Sequence, residues 1–322
     1  MAKAMRGTGV MGSSSPQELS TGAGLIMKLP SRSVRAAAFT EKILHKLGLK
    51  RLTALENLAE SAKARCLARH SFAFQPLMEI EMNGVRLTLP SYFVPHYLDR
   101  KFEPLTTRKV RRYLKRGMVV IDVGAQVGYY TLLAAQCVGP QGRILAVEPA
   151  EENLKLLRGN VARARAAQVV IFPFAAGERE VVRKLNITDS SDSHGFYRHP
   201  FAPTLRTELV QQLPLDALVD GRVDFVKIDV EGAEIEVLRG MSRITGENRH
   251  LKFVVEWNPA CLEQAGYDPA TLIDILEGQG LRLTVLDEHA GRAKSVAEIA
   301  PLVRSGSLPR WWFANLWAEC DG

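Results

Sequence analysis

Between residues 118 and 320 the chain alternates short apolar runs with longer segments whose apolar positions recur at helical spacing. The short runs read as buried strands and the longer segments as helices packed on them. Strands are predicted over 118–123, 143–148, 169–174, 223–229, 251–257, 281–286 and 312–320. One helix follows the glycine turn at Gly124. Another follows Pro149, with Leu154, Leu157 and Val161 on its buried face, and a third follows Asp268-Pro269 and ends near Gly280. Continuously apolar strands that alternate with helices predict an α/β fold, a doubly wound and mostly parallel sheet covered by helices, here with seven strands. Ahead of it, Ile80 and Met82, then Val85, Leu87 and Leu89, alternate with polar neighbours around Asn83-Gly84, which predicts a hairpin over 77–89. A basic helix ending near Gly117 joins hairpin to sheet, with Val110, Tyr113 and Leu114 as its apolar stripe. Farther upstream, Leu55, Leu58, Ala59, Ala62 and Cys66 share one helical face within an extension over 41–75. Residues 1–40 are rich in Gly, Ser and Ala, lack periodicity and read as a disordered basic tail. The α/β domain therefore occupies 76–322.

Composition changes this picture little. The 322 residues are 46% hydrophobic and 24% charged, enough for a large core. No apolar run approaches the roughly 18–20 residues that span a bilayer. The net charge of +7 is concentrated: residues 1–70 hold 12 of the 42 Lys+Arg and 4 of the 35 Asp+Glu, so the remainder is close to neutral. Such a tail allows weak contact with an anionic surface. Cys66, Cys137, Cys261 and Cys320 lie far apart, which argues against a disulfide scaffold or structural zinc and fits a cytoplasmic setting.

The candidate chemistry begins at Asp122-Val123-Gly124-Ala125-Gln126-Val127-Gly128. A buried strand ends in a carboxylate, and two glycines follow before a helix. There is no middle glycine, and Gln126 occupies a place where a pyrophosphate would need close backbone approach. Asp122 would repel a pyrophosphate and attract an ammonium group. S-adenosyl-L-methionine carries an amino group, a sulfonium and a ribose but no phosphate, so the charges favour it over a nicotinamide dinucleotide. Glu148, at the end of the second strand, is suited to accept the ribose hydroxyls, with Pro149 opening the next helix. A third motif, Lys227-Ile228-Asp229-Val230-Glu231-Gly232-Ala233-Glu234, carries its polar residues to the carboxyl end of a strand, where ligands of open α/β sheets bind. Lys227, inside an apolar strand, needs a carboxylate partner. Glu234 is expected to stabilise the first turn of the following helix.

Together with Gly128-Tyr129-Tyr130-Thr131, Val147-Glu148-Pro149, Val237-Leu238-Arg239-Gly240, Leu213-Pro214-Leu215-Asp216 and Val255-Glu256-Trp257, these motifs resemble the FkbM family of S-adenosylmethionine-dependent methyltransferases over about residues 76–320. The resemblance implies a Rossmann-like class I methyltransferase sheet of seven strands, the last antiparallel, and methyl transfer to a hydroxyl of a small molecule, sugar or lipid- or polyketide-type metabolite. It maps cofactor-binding carboxylates onto Asp122 and Glu148, within a cofactor set of Asp122, Gly124, Ala125, Gln126, Gly128, Glu148 and Pro149. It also sets Asp229 and Glu231 near the methyl group and acceptor. Gln126 stands where the family commonly has Asn. Asp229 is the first candidate general base and Glu256, at the end of the neighbouring strand, the second. A polar loop over 186–203 brings His194, Tyr197 and His199 as substrate contacts, either histidine being a further candidate base. Asp229 and Glu231 alone underdetermine a magnesium site, and no metal is expected. Two other readings stay open. A nucleic-acid methyltransferase would use the basic segments but lacks a Pro-Pro-Tyr type motif, so nucleic acid is not the expected partner. A non-catalytic binding module would not need the cofactor carboxylates.

Overall fold

The computed structural model describes residues 76–91, 93–94 and 102–320. The tail expected over 1–40 and the helical extension expected over 41–75 lie outside the described residues. The strands β1 (Leu77–Met82) and β2 (Val85–Pro90) pair antiparallel, with Met82 opposite Val85. Asn83 and Gly84 between them take φ of 51° and 73°, the sign a two-residue hairpin turn requires. The helix α1 (Pro104–Tyr113) follows. Its first backbone N–H groups, those of Leu105 and Thr106, donate to the Glu288 carboxylate at 3.0 and 2.8 Å, so an anion caps the positive end of the helix.

Strand–helix alternation then runs β3 (Val119–Val123), α2 (Tyr129–Val138), β4 (Arg143–Val147), α3 (Glu151–Arg163) and β5 (Val169–Phe172). Next come β6 (Ala175–Ala176), β7 (Val181–Thr188) and β8 (Thr204–Leu213), then β9 (Phe225–Ile228), α4 (Glu234–Arg239), α5 (Ser242–Glu247) and β10 (Lys252–Trp257). The chain closes with α6 (Pro259–Gln264), α7 (Ala270–Gly278), β11 (Leu281–Asp287), β12 (Arg292–Ser295), α8 (Val296–Arg304) and β13 (Ala314–Cys320).

The main sheet has the order β12-β11-β13-β10-β9-β3-β4-β5. Its β10-β9-β3-β4-β5 half is parallel, and β13 runs antiparallel to both β10 and β11. The sheet thus has eight strands rather than the seven expected. The addition is β12, antiparallel to β11, whose Arg-Ala-Lys-Ser sequence has no apolar run to betray it and whose Lys294 is tied to Asp287 at 2.7 Å. Charge on an exposed edge strand also discourages pairing with another chain. A second correction concerns the loop expected over 186–203. Residues 186–188 belong to β7, which pairs with β8 in a separate three-stranded sheet of order β6-β8-β7.

Both faces of the main sheet are buried because successive strand residues point to opposite sides. Ile121, Val226, Val255 and Trp257 face one apolar layer with Ile235, Leu238, Leu272, Leu276 and Ile299 from α4, α7 and α8. Val120, Phe225, Val254 and Trp317 face the other, with Leu87, Val110, Leu133 and Val138 from the hairpin, α1 and α2. After β3 the chain builds outward through β4 and β5, then returns to lay β9 on the other side of β3. The carboxyl ends of β3 and β9 therefore flank a topological switch point, where the fold opens a crevice.

Phe253, fully buried on β10, sets the stability of this centre. Phe253→Ala is expected to lower the unfolding free energy by about 3–5 kcal/mol, read as a lower urea midpoint with unchanged slope.

Candidate active site

The crevice between β3 and β9 is lined by Asp122, Gly124, Ala125, Gln126, Glu148 and Pro149 on one side and by Asp229, Glu231 and His194 on the other. Asp122 is buried near the end of β3. Its Oδ2 accepts from the Thr131 hydroxyl at 2.6 Å, while its Oδ1 has no partner among the described residues. Burial raises the pKa of this carboxyl, and Lys227 and Thr131 pull it back down. Gly124 takes φ of 80°, and a Cβ there would overlap the carbonyl oxygen of Asp229. Only glycine lets the loop after β3 pass so close to the end of β9.

The same loop is fastened to β4. The N–H groups of Gly124 and Ala125 both donate to the Val147 carbonyl at 3.0 Å. Gln126, at φ 51°, donates its N–H to Glu148 Oε2 at 2.9 Å. Glu148 Oε1 accepts from Ala150 N at 2.9 Å and Asn153 Nδ2 at 3.4 Å. Burial drives the Glu148 pKa up to about 7, although these three donors oppose the shift. The Gln126 side chain reaches Ser191 Oγ at 3.1 Å, and Asn153 Nδ2 reaches the Ser191 carbonyl at 3.0 Å. The extra methylene of Gln126 over Asn thus reaches the β7–β8 connection. Gly128 lies outside the crevice: a side chain there would meet Leu157 of α3 at 2.7 Å, so it serves helix packing.

Lys227, at 4% exposure, is the cation of this region. Its Nζ donates to Asp229 Oδ2 at 2.7 Å and lies 4.8 Å from the centre of the Tyr130 ring. Burial alone would lower its pKa, but Asp229, Asp122 and Glu103 together outweigh burial and push it up. Lys227 is therefore a fixed ammonium and not a base. Among the described residues, none donates to Asp229 Oδ1. Glu103, which the sequence motifs did not flag, accepts from the Tyr130 hydroxyl at 2.5 Å and from Asn315 Nδ2 at 2.8 Å.

Beyond Asp229 the chain turns sharply. Glu231 takes φ of 53°, and Glu234 Oε1 holds the turn by accepting from Val230 N at 3.2 Å and Gly232 N at 3.1 Å. Glu234 is fully buried, and burial lifts its pKa to about 7. Glu231 Oε2 accepts from the Cys261 thiol at 3.1 Å and lies 3.5 Å from His199 Nε2. Burial pushes Glu231 up, with His199 countering, and burial and Glu231 push the Cys261 thiol up as well. Glu256 stands behind the crevice wall, at 7% exposure. Its Oε2 has no hydrogen-bond partner among the described residues, and burial followed by the charges of Asp229 and Glu231 raises its pKa well above the ordinary carboxylate value. Oxygens of Asp229, Glu231 and Glu256 lie within 4.8 Å of one another. The expectation of no metal considered only two carboxylates; the fold brings a third.

Neither histidine is set up as a resting base. His199 Nδ1 accepts from the N–H groups of Phe201 and Ala202 at 3.2 and 2.9 Å. His194 Nδ1 accepts from Thr188 N at 3.2 Å. A backbone N–H must donate, so each ring keeps its proton on Nε2. Burial lowers the His194 pKa to about 4, keeping it neutral. Tyr197 points away from the crevice, its hydroxyl donating to Glu236 beside Arg183.

A family model described as the methyltransferase FkbM domain matches residues 122–283, half of the chain. A protein-L-isoaspartate O-methyltransferase of Methanothrix thermoacetophila is 39% identical over 56 residues, which span 17% of this chain and 27% of that protein's length. Methyltransferase 1 of Beauveria bassiana is 27% identical over 194 residues, covering 52% of this chain and 73% of that protein. A crystal structure of methyltransferase FkbM from Methylobacillus flagellatus KT is similar over 82% of this chain and 60% of that one, at 15% identity and a TM-score of 0.41. Among the described residues no helix is long and apolar enough to cross a membrane.

The buried Glu234 gives a pH test. Its folded pKa of about 7 exceeds the ordinary 4.5, so the native state binds more protons between these values. Its contribution is favourable below pH 4.5 and is lost as pH rises through 7. Glu234→Gln, which keeps the oxygen that accepts from Val230 and Gly232, should shrink the fall in Tm between pH 5.5 and 8. An equal fall in both proteins would show that Glu234 is not buried as a carboxylate.

Proposed function

Because the chain belongs to the FkbM methyltransferase family, we propose that it transfers a methyl group from S-adenosyl-L-methionine to a hydroxyl oxygen of a small molecule. The observation that carries this reading is the unpartnered Asp122 Oδ1, a buried acceptor lining the same crevice as Glu148 and Asp229. These residues fit the donor. Asp122 Oδ1 would accept from its ammonium group, and Glu148, already oriented by backbone N–H groups, would accept from the ribose hydroxyls. Gly124 and Ala125 keep the loop low enough to admit a flat nucleoside. When bound, the cofactor supplies a methyl group activated by a sulfonium, which departs as a thioether.

Holding the acceptor oxygen in line with that methyl group removes about 7–11 kcal/mol of barrier at the upper limit of such effects. The acceptor O–H bond must break as the O–CH3 bond forms. Asp229 Oδ1 takes that proton, since Asp229 lines the crevice and no described residue donates to this oxygen. Lys227 is a positioning residue: it grips Oδ2, fixes the carboxylate plane and keeps Oδ1 turned outward. Two apolar layers exclude water from behind the reacting atoms.

Calorimetric titration with S-adenosylhomocysteine tests the cofactor half of this reading. Asp122→Ala and Glu148→Ala are each expected to weaken binding tenfold or more, about 1.4 kcal/mol, in variants that keep the wild-type circular dichroism spectrum. No heat from the folded wild type would defeat the proposal.

The titration of Glu148 adds a signed pH dependence. With its pKa at about 7, the carboxylate that accepts two hydroxyls is lost on acidification. Affinity for S-adenosylhomocysteine should therefore fall from pH 8 to pH 6 in the wild type and vary much less in Glu148→Gln. A pH-independent wild type would remove Glu148 from the cofactor contacts.

A further inference from the structure

The crevice holds a cluster of acids of which methyl transfer as described uses only Asp229. Glu256 is more than nine-tenths buried, and its Oε2 has no hydrogen-bond partner among the described residues. The groups that face it are Asp229 and Glu231, with Glu234 beyond, all of them acids. The nearby cation, Lys227, is engaged by Asp229 Oδ2. A buried carboxyl surrounded by carboxylates and served by no donor lacks a positive partner.

We propose that Asp229, Glu231 and Glu256 bind one hard divalent cation of the magnesium or manganese class. Their oxygens lie within 4.8 Å of one another. Oxygen ligands stand about 2.0–2.1 Å from magnesium, so opposite ligands are about 4.2 Å apart, and oxygens within 4.8 Å of one another close on one such ion by small side-chain rotations. The donor set is all oxygen, which selects hard ions over zinc or copper.

A second grouping, His199, Glu231 and Cys261, lies equally close together but fails on chemistry. His199 Nδ1 already accepts two backbone N–H groups, so its Nε2 carries a proton and has no lone pair to give. The Cys261 thiol keeps its hydrogen for Glu231. These two residues instead orient Glu231 through its Oε2. Asp229 and Glu231 line the crevice, so the open coordination positions face the space where an acceptor enters. There a cation can hold the acceptor oxygen and ease loss of its proton. That role rests on the methyl-transfer reading; the cation site does not.

The test is titration of the chelator-treated full chain with MnCl2, with free Mn2+ read by electron paramagnetic resonance. One Mn2+ per chain is expected, displaced by MgCl2, and Glu256→Gln and Glu231→Gln should each weaken it roughly tenfold or more. The wild-type Tm should rise with MgCl2, and that rise should vanish in Glu256→Gln. No saturable binding up to about 1 mM, or binding that both variants leave unchanged, would overturn the site. If Glu256→Gln does not fold, Glu231→Gln and the wild-type Tm response decide the matter by themselves. A parallel S-adenosylhomocysteine titration separates the two proposals. Cofactor binding without Mn2+ binding removes the cation site alone, and Mn2+ binding without cofactor binding upholds it while the methyl-transfer reading fails.

Discussion

The arrangement at the sheet's carboxyl edge depends on one buried ammonium. Lys227 sits within an apolar strand at 4% exposure, where an unpaired charge would cost several kcal/mol. Asp229, Asp122 and Glu103 compensate it, and each comes from a different part of the chain: the end of β9, the end of β3, and the residue before α1. Satisfying Lys227 therefore draws three segments to one point. Tyr130 completes the enclosure, its ring against Nζ and its hydroxyl on Glu103. Removing the lysine charge would leave three carboxylates facing one another at low solvent exposure.

A steric constraint works beside this electrostatic one. The loop at Gly124 passes so near the Asp229 carbonyl that no side chain fits, and its N–H groups are tied to Val147 at the end of β4. The ends of β3, β4 and β9 consequently move as a unit. Asp122, Glu148 and Asp229, which stand at these three ends, keep their spacing because the backbone beneath them is locked. The turn at Glu231 and Gly232, pinned by Glu234, extends the same rigidity to the second carboxylate of the β9 motif.

Much of this was legible in the sequence, for a physical reason. Parallel strands buried on both faces appear as unbroken apolar runs, and the residues at their ends are the ones a switch point exposes. Asp122, Glu148, Lys227 and Asp229 were found that way. The strands β7 and β8 were not, because Val181, Val182, Leu205 and Leu209 are exposed while Arg183 and Gln212 are tucked inward. Apolar pattern and burial disagree there. β12 has no apolar pattern at all. Glu103, Asn153 and Ser191 escaped notice because their roles arise from contacts across tens of residues. The position of Glu256 at the end of β10 was legible; its lack of any donor was not.

The two walls of the crevice rest on different foundations. One is built on the parallel sheet, where steric contact, buried charge and backbone hydrogen bonds each restrict what residue can stand at a position. The other is carried by the β6-β8-β7 sheet, whose β7–β8 ribbon has an outer face in water; it meets the first through Gln126, Asn153 and Ser191, and through Arg183, Tyr197 and His199 on Glu236 and Glu231. Substitutions in the first wall disturb the whole domain, whereas those between residues 189 and 203 that keep Ser191, Tyr197 and His199 spare its contacts with the sheet. A change in what the crevice admits therefore disturbs the domain least when it falls in that connection rather than at the ends of β3, β4 and β9.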